Sequence, residues 1–195
     1  RITNHKLRTL QAFGVIDLGT DQIRTGNLAD TVDGGAGNDK ITGTTGNDDI
    51  MGFAGNDIIT GGLGADILSG GAGKDTFVIG KADSTLHTTE DGFDGYDVIT
   101  DFNAGDILKM GGKAIVGKNY IVLDTTYDTL ADAADAVAET LGKRGYALAY
   151  VDNDLEDDVD GSSFLFHDVS GDGTADQMVE LVGIAPMELS AAAII

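Results

Sequence analysis

The sequence has no cysteine, a single proline and only 12 Lys plus Arg among its 195 residues. Without cysteine no disulfide forms, so outside the cell something other than cystine must stabilise the fold. The few basic residues face 33 Asp plus Glu, for a formal net charge of −21. A surface of that sign repels phosphate, which excludes nucleic acid as a partner. No run of about 18 apolar residues occurs, so no membrane-spanning helix is expected. The chain opens Arg1-Ile2-Thr3-Asn4, with no initiator Met and no apolar stretch after a basic start. No secretory signal peptide is read there, and the chain is expected to be a piece of a longer protein, cut on its N-terminal side. Catalytic signatures are missing too: there is no HExxH, no cysteine nucleophile and no GxSxG elbow. His87 and His167 lack a Ser-His-Asp grouping and read as surface or core histidines, so this segment is not expected to be an enzyme.

Acid and glycine are what the chain has in quantity. Glycine supplies 29 residues, and the acids are 28 Asp but only five Glu. Glu suits solvated helices, whereas Asp favours turns and caps, so the charge belongs mainly to loops. Loop carboxylates beside glycine are hard oxygen ligands for a cation, Ca²⁺ first. A halophilic or merely soluble surface is the competing reading of composition alone. Zinc is not expected, because cysteine is absent and His5, His87 and His167 stand apart.

The acids are periodic. Set out with a period of nine, Ile16 to Val78 falls into seven rows. The sixth column is Asp21, Asp30, Asp39, Asp48, Asp57, Asp66 and Asp75. The eighth is Ile23, Val32, Ile41, Ile50, Ile59, Leu68 and Phe77. Six residues such as Gly34-Gly35-Ala36-Gly37-Asn38-Asp39 cannot pack a core, but their glycines permit tight turns. The next three, Lys40-Ile41-Thr42, alternate polar and apolar and read as a short strand with one inward side chain. Two rows then make one circuit of a coil, with parallel strands on two faces and successive circuits ~4.8 Å apart. The apolar column becomes a thin core, and the Asp column stacks along each edge. Carboxylates at about 5 Å repel strongly, so protons or cations must fill the edge. Two carboxylates with several turn carbonyls make an all-oxygen cage that suits Ca²⁺ better than Mg²⁺. A flexible linker has no reason to keep an apolar residue at every ninth place. The Gly73-Lys74 pair is no phosphate loop: Leu68 stands where its first glycine belongs and Asp75 replaces the Ser or Thr.

Gly34-Gly35-Ala36-Gly37-Asn38-Asp39-Lys40-Ile41-Thr42 resembles the nonapeptide of RTX proteins, the calcium-binding parallel β-roll family. The rows from Gly34, Gly43, Gly52, Gly61 and Gly70 fit well; those from Ile16 and Thr25 are degenerate and look like a capping turn. The resemblance implies Ca²⁺ between turns two rows apart, with Asp39 paired to Asp57, Asp48 to Asp66 and Asp57 to Asp75. It implies carbonyls of Gly35, Gly37, Gly52 and Ala54 at the first site. Thr44, Gly46, Gly61 and Leu63 would serve the second, and Phe53, Gly55, Gly70 and Ala72 the third. Thr44 and Phe53 replace the usual second glycine. Asp30 with Asp48, and Asp21 with Asp39, are weaker candidate pairs, because their turns lack the glycines.

The ninefold register is lost from Lys81. Asp94 to Phe102, then Asn103 to Leu108, resembles the segment that closes RTX rolls, with a strand, a glycine turn and a second strand. Asp97 and Asp101 either supply a last metal site or are plain turn residues. Residues 128–141 read as a helix with Asp128 as N-cap, Gly142 as stop, Lys143 and Arg144 near its end, and Leu130, Ala134, Val137 and Leu141 on its inner face. Strands are expected at Tyr146 to Val151, Ser163 to His167 and Gln177 to Val182. Two acidic loops join them. The loop Asp152 to Asp160 reads chiefly as solvated. The loop with Asp168, Ser170, Asp172, Thr174 and Asp176 resembles the start of an EF-hand loop, though Val179 stands where a bidentate Glu belongs. A short Ca²⁺ loop and a metal-free Asx-turn hairpin both fit it. Met187 to Ile195 resembles an uncleaved type I secretion signal; a strand or helix docked on the core explains it equally.

The expected fold class is therefore mainly β: a parallel β-roll with its lead-in over residues 1–80, then a β-rich capping and secretion-signal region with one helix over 81–195. The resemblance implies a calcium-binding module that stays unfolded in the low-Ca²⁺ cytosol and folds outside. Its partners would be several Ca²⁺ ions, the type I secretion machinery and its own neighbours in a surface lattice. As parent, a surface-layer or adhesin-type protein is preferred, because Leu10 to Thr25 looks like β-rich lead-in. The alternative is the noncatalytic tail of a secreted protease, lipase or polysaccharide epimerase.

Overall fold

The structure is a computed structural model and describes residues 2–3, 19–85, 87–89, 92–111, 120–141, 145–151, 161–184 and 189–195. Each row of the repeat delivers one three-residue strand: β2 (Gln22–Arg24), β3 (Thr31–Asp33), β4 (Lys40–Thr42), β5 (Asp49–Met51), β6 (Ile58–Thr60), β7 (Ile67–Ser69) and β8 (Thr76–Val78). Before them, β1 (Ile2–Thr3) pairs parallel with β2. From β2 to β8, even-numbered strands stack in one parallel sheet and odd-numbered strands in the other, so two rows make one circuit. Pairing follows an 18-residue interval, as in Ile41 against Ile59 and Ile50 against Leu68. The middle residue of every strand points inward. Ile23, Ile41, Ile59 and Phe77 from one sheet meet Val32, Ile50 and Leu68 from the other, and each is at most 4% exposed. The degenerate rows from Ile16 and Thr25 were expected to cap the coil. Their strands are instead in register, with Ile23 and Val32 in the core, because one inward aliphatic and two outward polar residues suffice for pairing.

Turns without bulk let the circuits close up. Gly55 has φ +142°, and a Cβ there would run into the carbonyl of Gly37 one circuit away. Phe53 is a departure: it takes φ +73° with a full side chain, which is 47% exposed.

The register lost at Lys81 returns. A short antiparallel pair, β9 (His87–Thr89) and β10 (Gly92–Asp94), leads to β11 (Asp97–Ile99) and β12 (Ile107–Lys109). β11 pairs parallel with β7 and β12 with β8, placing Ile99 beside Leu68 and Leu108 beside Phe77. The interval widens from 18 to 31 residues, an insertion of 13, after which the ninefold spacing of Asp97 to Asp106 and Ile99 to Leu108 resumes.

The C-terminal strands extend the roll. β16 (Gln177–Val182) pairs parallel with β11, and β15 (Ser162–His167) and β14 (Tyr146–Val151) follow antiparallel. β13 (Tyr120–Tyr127) completes the eight-stranded sheet β13-β14-β15-β16-β11-β7-β5-β3. β13 was not anticipated; its register slips between Val122 and Thr126, which blurs the alternation that betrays a strand. The helix runs Leu130–Thr140 and is capped by Thr129, not Asp128. The cap must immediately precede the first helical residue, and Thr129 Oγ there accepts the Asp132 N–H at 3.2 Å. Ala133 and Val137 bury against Ala147, Ala149, Phe164, Phe166 and Met178, a second core on the outer side of the sheet. Ile194 is fully buried, bridges to Leu108, and with Ile195 extends the other sheet past β12. Docking on the core is thus what Ile194 and Ile195 do in the folded chain. Gly142, Lys143 and Arg144, the loop Asp152 to Asp160, and Met187 and Glu188 lie outside the described residues.

Candidate metal centre

Strand register fixes the acids. Every Asp of the sixth column ends a turn one residue before or at the start of a strand, so 18-residue pairing sets one carboxylate over the next. Two ladders result. The backbone N–H of Asp21 donates to Oδ1 of Asp39 at 2.7 Å, that of Asp39 to Asp57 at 2.8 Å, and that of Asp57 to Asp75 at 2.8 Å. On the opposite edge Asp30 donates to Asp48 at 2.9 Å and Asp48 to Asp66 at 2.8 Å. Both ladders cross the insertion: Asp66 N–H reaches Asp97 Oδ1 at 3.0 Å and Asp75 N–H reaches Asp106 Oδ1 at 2.8 Å. Asp106 was missed in the sequence reading. Gly105-Asp106-Ile107-Leu108, nine residues after Gly-x-Asp97-x-Ile99, was the signal that the column had resumed.

One oxygen of each carboxylate is therefore a backbone acceptor; the other is left over. Oδ2 of Asp57, Asp66, Asp75 and Asp97 is buried with no hydrogen-bond partner among the described residues. Leaving a buried charged oxygen unsatisfied costs about 1–3 kcal/mol or more. Burial accordingly drives these carboxyls up, with the neighbouring acids adding to it. Asp66 is pushed up to about 6 by burial, then by Asp48 and Asp83. Asp97 is pushed up to about 8 by burial, then by Asp66 and Asp83. Asp48, Asp57 and Asp75 shift upward for the same first reason.

Carbonyls converge on the same places. A Cβ built on Gly52 would lie 2.5 Å from Asp57 Oδ2 and 2.7 Å from the Gly70 carbonyl. On Gly43 it would meet Asp48 Oδ2 at 2.6 Å and the carbonyl of Gly61; on Gly34, the Gly52 carbonyl at 2.9 Å. Carbonyls of Gly35, Thr44 and Phe53 each accept one N–H, from Ala54, Leu63 and Ala72. The carbonyls of those three residues accept from Gly37, Gly46 and Gly55. A carbonyl has two lone pairs, so each keeps one. No three His, Cys, Asp or Glu side chains among the described residues form a metal-binding group. A cation on this edge must therefore be held by two carboxylates and backbone oxygen.

The family description "RTX calcium-binding nonapeptide repeat" matches residues 17–50, 42–77 and 51–85. Residues 17–85 are RTX calcium-binding nonapeptide repeats. RTX nonapeptide repeats are calcium-binding, and the oxygen-only cradle with orphaned carboxylate atoms fits that ion. When bound, calcium supplies the positive charge these stacked carboxylates lack. Among solved structures, the AlgE6R2 subunit of the Azotobacter vinelandii mannuronan C5-epimerase is similar at 24% identity and TM-score 0.53, over 89% of this chain and 91% of that one. The AlgE6R3 subunit of the same enzyme is 24% identical with TM-score 0.48, over 93% and 80%. The first of these likenesses shows a shared β-roll fold. No curated protein matches the chain.

Outside the RTX ladders, the acids have local partners. Asp97 and Asp101 do not meet: Asp97 joins one ladder, whereas Asp101 clamps a turn on the opposite edge. It accepts from Ser69 Oγ at 2.7 Å, Gly70 N–H at 2.8 Å and Gly71 N–H at 2.7 Å. Ser84 ends the Asp97 ladder, its Oγ accepting the Asp97 N–H at 2.6 Å. In the loop after β15, Asp168 accepts from Gly171 and Gly173 N–H, Asp176 from Ser170 N–H, and Asp172 from Thr174. That is a net of Asx-type turns, and the Thr174 bonds hold the Asp172 carboxyl below its usual value. His167 stacks on Tyr146 at 4.2 Å and is shifted downward by burial.

Proposed function

We propose that this chain is a calcium-triggered folding module, exported unfolded by a type I secretion system and closed into its roll outside the cell. The proposed sites pair Asp39 with Asp57, Asp57 with Asp75 and Asp48 with Asp66, completed by the turn carbonyls of Gly35, Gly37, Gly52 and Ala54 and their counterparts. Asp66 with Asp97, and Asp75 with Asp106, continue the series. The observation that carries this reading is the buried Oδ2 of Asp57, Asp66, Asp75 and Asp97, each without a hydrogen-bond partner among the described residues. Metal-free, the column opposes compaction; a site held at 100 times its Kd stabilises by ~2.7 kcal/mol, so several sites together match the stability of a domain. Far-UV circular dichroism with and without Ca²⁺ tests it, and equal strand content in chelator defeats it. Asp57 belongs to two proposed sites. In calorimetric titration, Asp57→Asn is expected to bind fewer ions than Asp49→Asn, whose side chain faces solvent.

As parent, a surface-layer or adhesin-type protein remains the preferred proposal, with the module also contacting its neighbours. A second reading, the noncatalytic module of a secreted enzyme, draws on the fold shared with a repeat subunit of a mannuronan epimerase. The sequence upstream of Arg1 separates them: a catalytic domain there supports the enzyme, more Gly/Thr-rich β sequence the surface layer.

A further inference from the structure

The two outer faces of the roll carry opposite charge in the same pattern. Outward residues of β2, β4, β6, β8 and β12 include Arg24, Lys40 and Lys109 and no acid. Those of β3, β5 and β7 include Asp33 and Asp49 and no base. The positions correspond one to one. Arg24 and Asp33 each end the strand of their row; Lys40 and Asp49 each begin the strand two rows later; Ile58 and Ile67 each begin the next. On one face Gln22 pairs with Lys40 and Arg24 with Thr42; on the other Thr31 pairs with Asp49 and Asp33 with Met51. Each face therefore shows a diagonal pair of like charges followed by an exposed isoleucine, 42% exposed at Ile58 and 50% at Ile67. Among the described residues none of the four charged side chains has an ion-pair partner. A chain of net charge −21 has few cations to place, and three of its 12 lie on one flat sheet face without an acid.

From this complementarity we infer that the basic face of one copy docks on the acidic face of another. The two faces differ, so the contact is heterologous and does not close on itself; it propagates as a stack. Charge fixes which faces meet, and the isoleucines supply apolar contact between sheets packed at about 10 Å. The basic face measures roughly 24 Å by 10 Å from strand spacing and rise. That is well below the ~800 Å² per partner of a standard stable interface, so a single contact is weak and becomes effective in an array, where neighbours add. The helix Leu130–Thr140 covers the C-terminal half of the eight-stranded sheet, which confines docking to β3, β5 and β7. This inference rests on the surface-assembly part of the proposal above, and its experiment is separable from calcium-driven folding.

The test uses the 195-residue chain in Ca²⁺ at low ionic strength, with mass followed by sedimentation and light scattering up to high concentration. Wild type is expected to associate, and added monovalent salt to reverse it, since exposed charges are screened within about 10 Å at 0.1 M. Arg24→Glu/Lys40→Glu and Asp33→Lys/Asp49→Lys are each expected to weaken association on the order of tenfold. Mixed in equal amounts, the two variants regain it, because each supplies the face the other now matches. A monomeric wild type at every concentration overturns the inference. So does a mixture no more associated than its parts, or an effect confined to the basic-face variant, which points to an anionic ligand instead. Circular dichroism and Ca²⁺ titration on the same samples read folding separately: failure of the calcium proposal shows there, in all variants alike.

Discussion

Lowering pH should strengthen the metal-free roll, the reverse of ordinary acid denaturation. The perturbation is a change from pH 8 to pH 5 after calcium has been removed and the chelator exchanged away. Asp97 stands at about 8 and Asp66 at about 6 in the folded chain, against an ordinary value of 3.8. Their folded values are raised, so between pH 4 and 8 the folded state binds more protons than the unfolded one, and stability falls as pH rises through that window. Integrated from pH 8 down to 5, Asp97 contributes about 4 kcal/mol to the folded state, and Asp66, which solvent partly screens, at most about 1 kcal/mol. Protons thus do part of what a cation does: they remove charge from oxygens that have no donor among the described residues. Strand content by far-UV circular dichroism, with urea midpoints where a transition is seen, is the assay. Asp97→Asn is the control, since it deletes the largest contribution while leaving net self-repulsion almost unchanged. With saturating Ca²⁺ the slope should reverse, because the ligands must then be deprotonated. A metal-free chain better folded at pH 8 than at pH 5, or an Asp97→Asn profile parallel to wild type, refutes the reasoning.

Other substitutions probe the roll itself. Phe53→Gly relieves a side chain held at φ +73° and should raise stability in Ca²⁺ by up to about 1 kcal/mol, read as a higher urea midpoint. Gly55→Ala puts a methyl group against the Gly37 carbonyl at φ +142° and should cost about 3 kcal/mol, with weakened calcium binding. Ile59→Ala empties a fully buried core position; a loss of 2–5 kcal/mol is expected, about the range for such truncations. Deleting residues 43–60, one whole circuit, removes β5 and β6 and keeps every remaining strand on its own sheet, so the chain should stay folded and calcium-responsive; loss of the calcium-induced circular dichroism change would contradict the 18-residue register.

The roll was legible because its signal is repeated. Asp39, Ile41 and their equivalents fall at a fixed spacing, and one inward residue per strand leaves no ambiguity about which face is buried. The orphaned Oδ2 atoms could not be read that way. They depend on the backbone of one circuit reaching the carboxylate of the next, which is a consequence of register. Asp106, and the pairing of Asp97 with Asp66, were obscured by the 13-residue insertion, which breaks the count while keeping the partners. β13 escaped notice because its pairing slips mid-strand, and Thr129 displaced Asp128 as cap because adjacent capping residues compete by position. Asp101, which the sequence leaves open between ligand and turn residue, accepts from Ser69, Gly70 and Gly71, contacts across 30 to 32 residues that local sequence does not announce.

The pairing of rows into circuits also bears on how such a chain can change its length across generations. Duplication of residues 43–51 alone would leave β11 beside β7 and β16 but would move β2, β3 and β4 to the opposite sheets relative to them. Duplication of two rows leaves all neighbours as they were. Gene variants that keep Arg24 and Lys40 on the sheet opposite β11 and β16 should therefore differ in steps of eighteen codons.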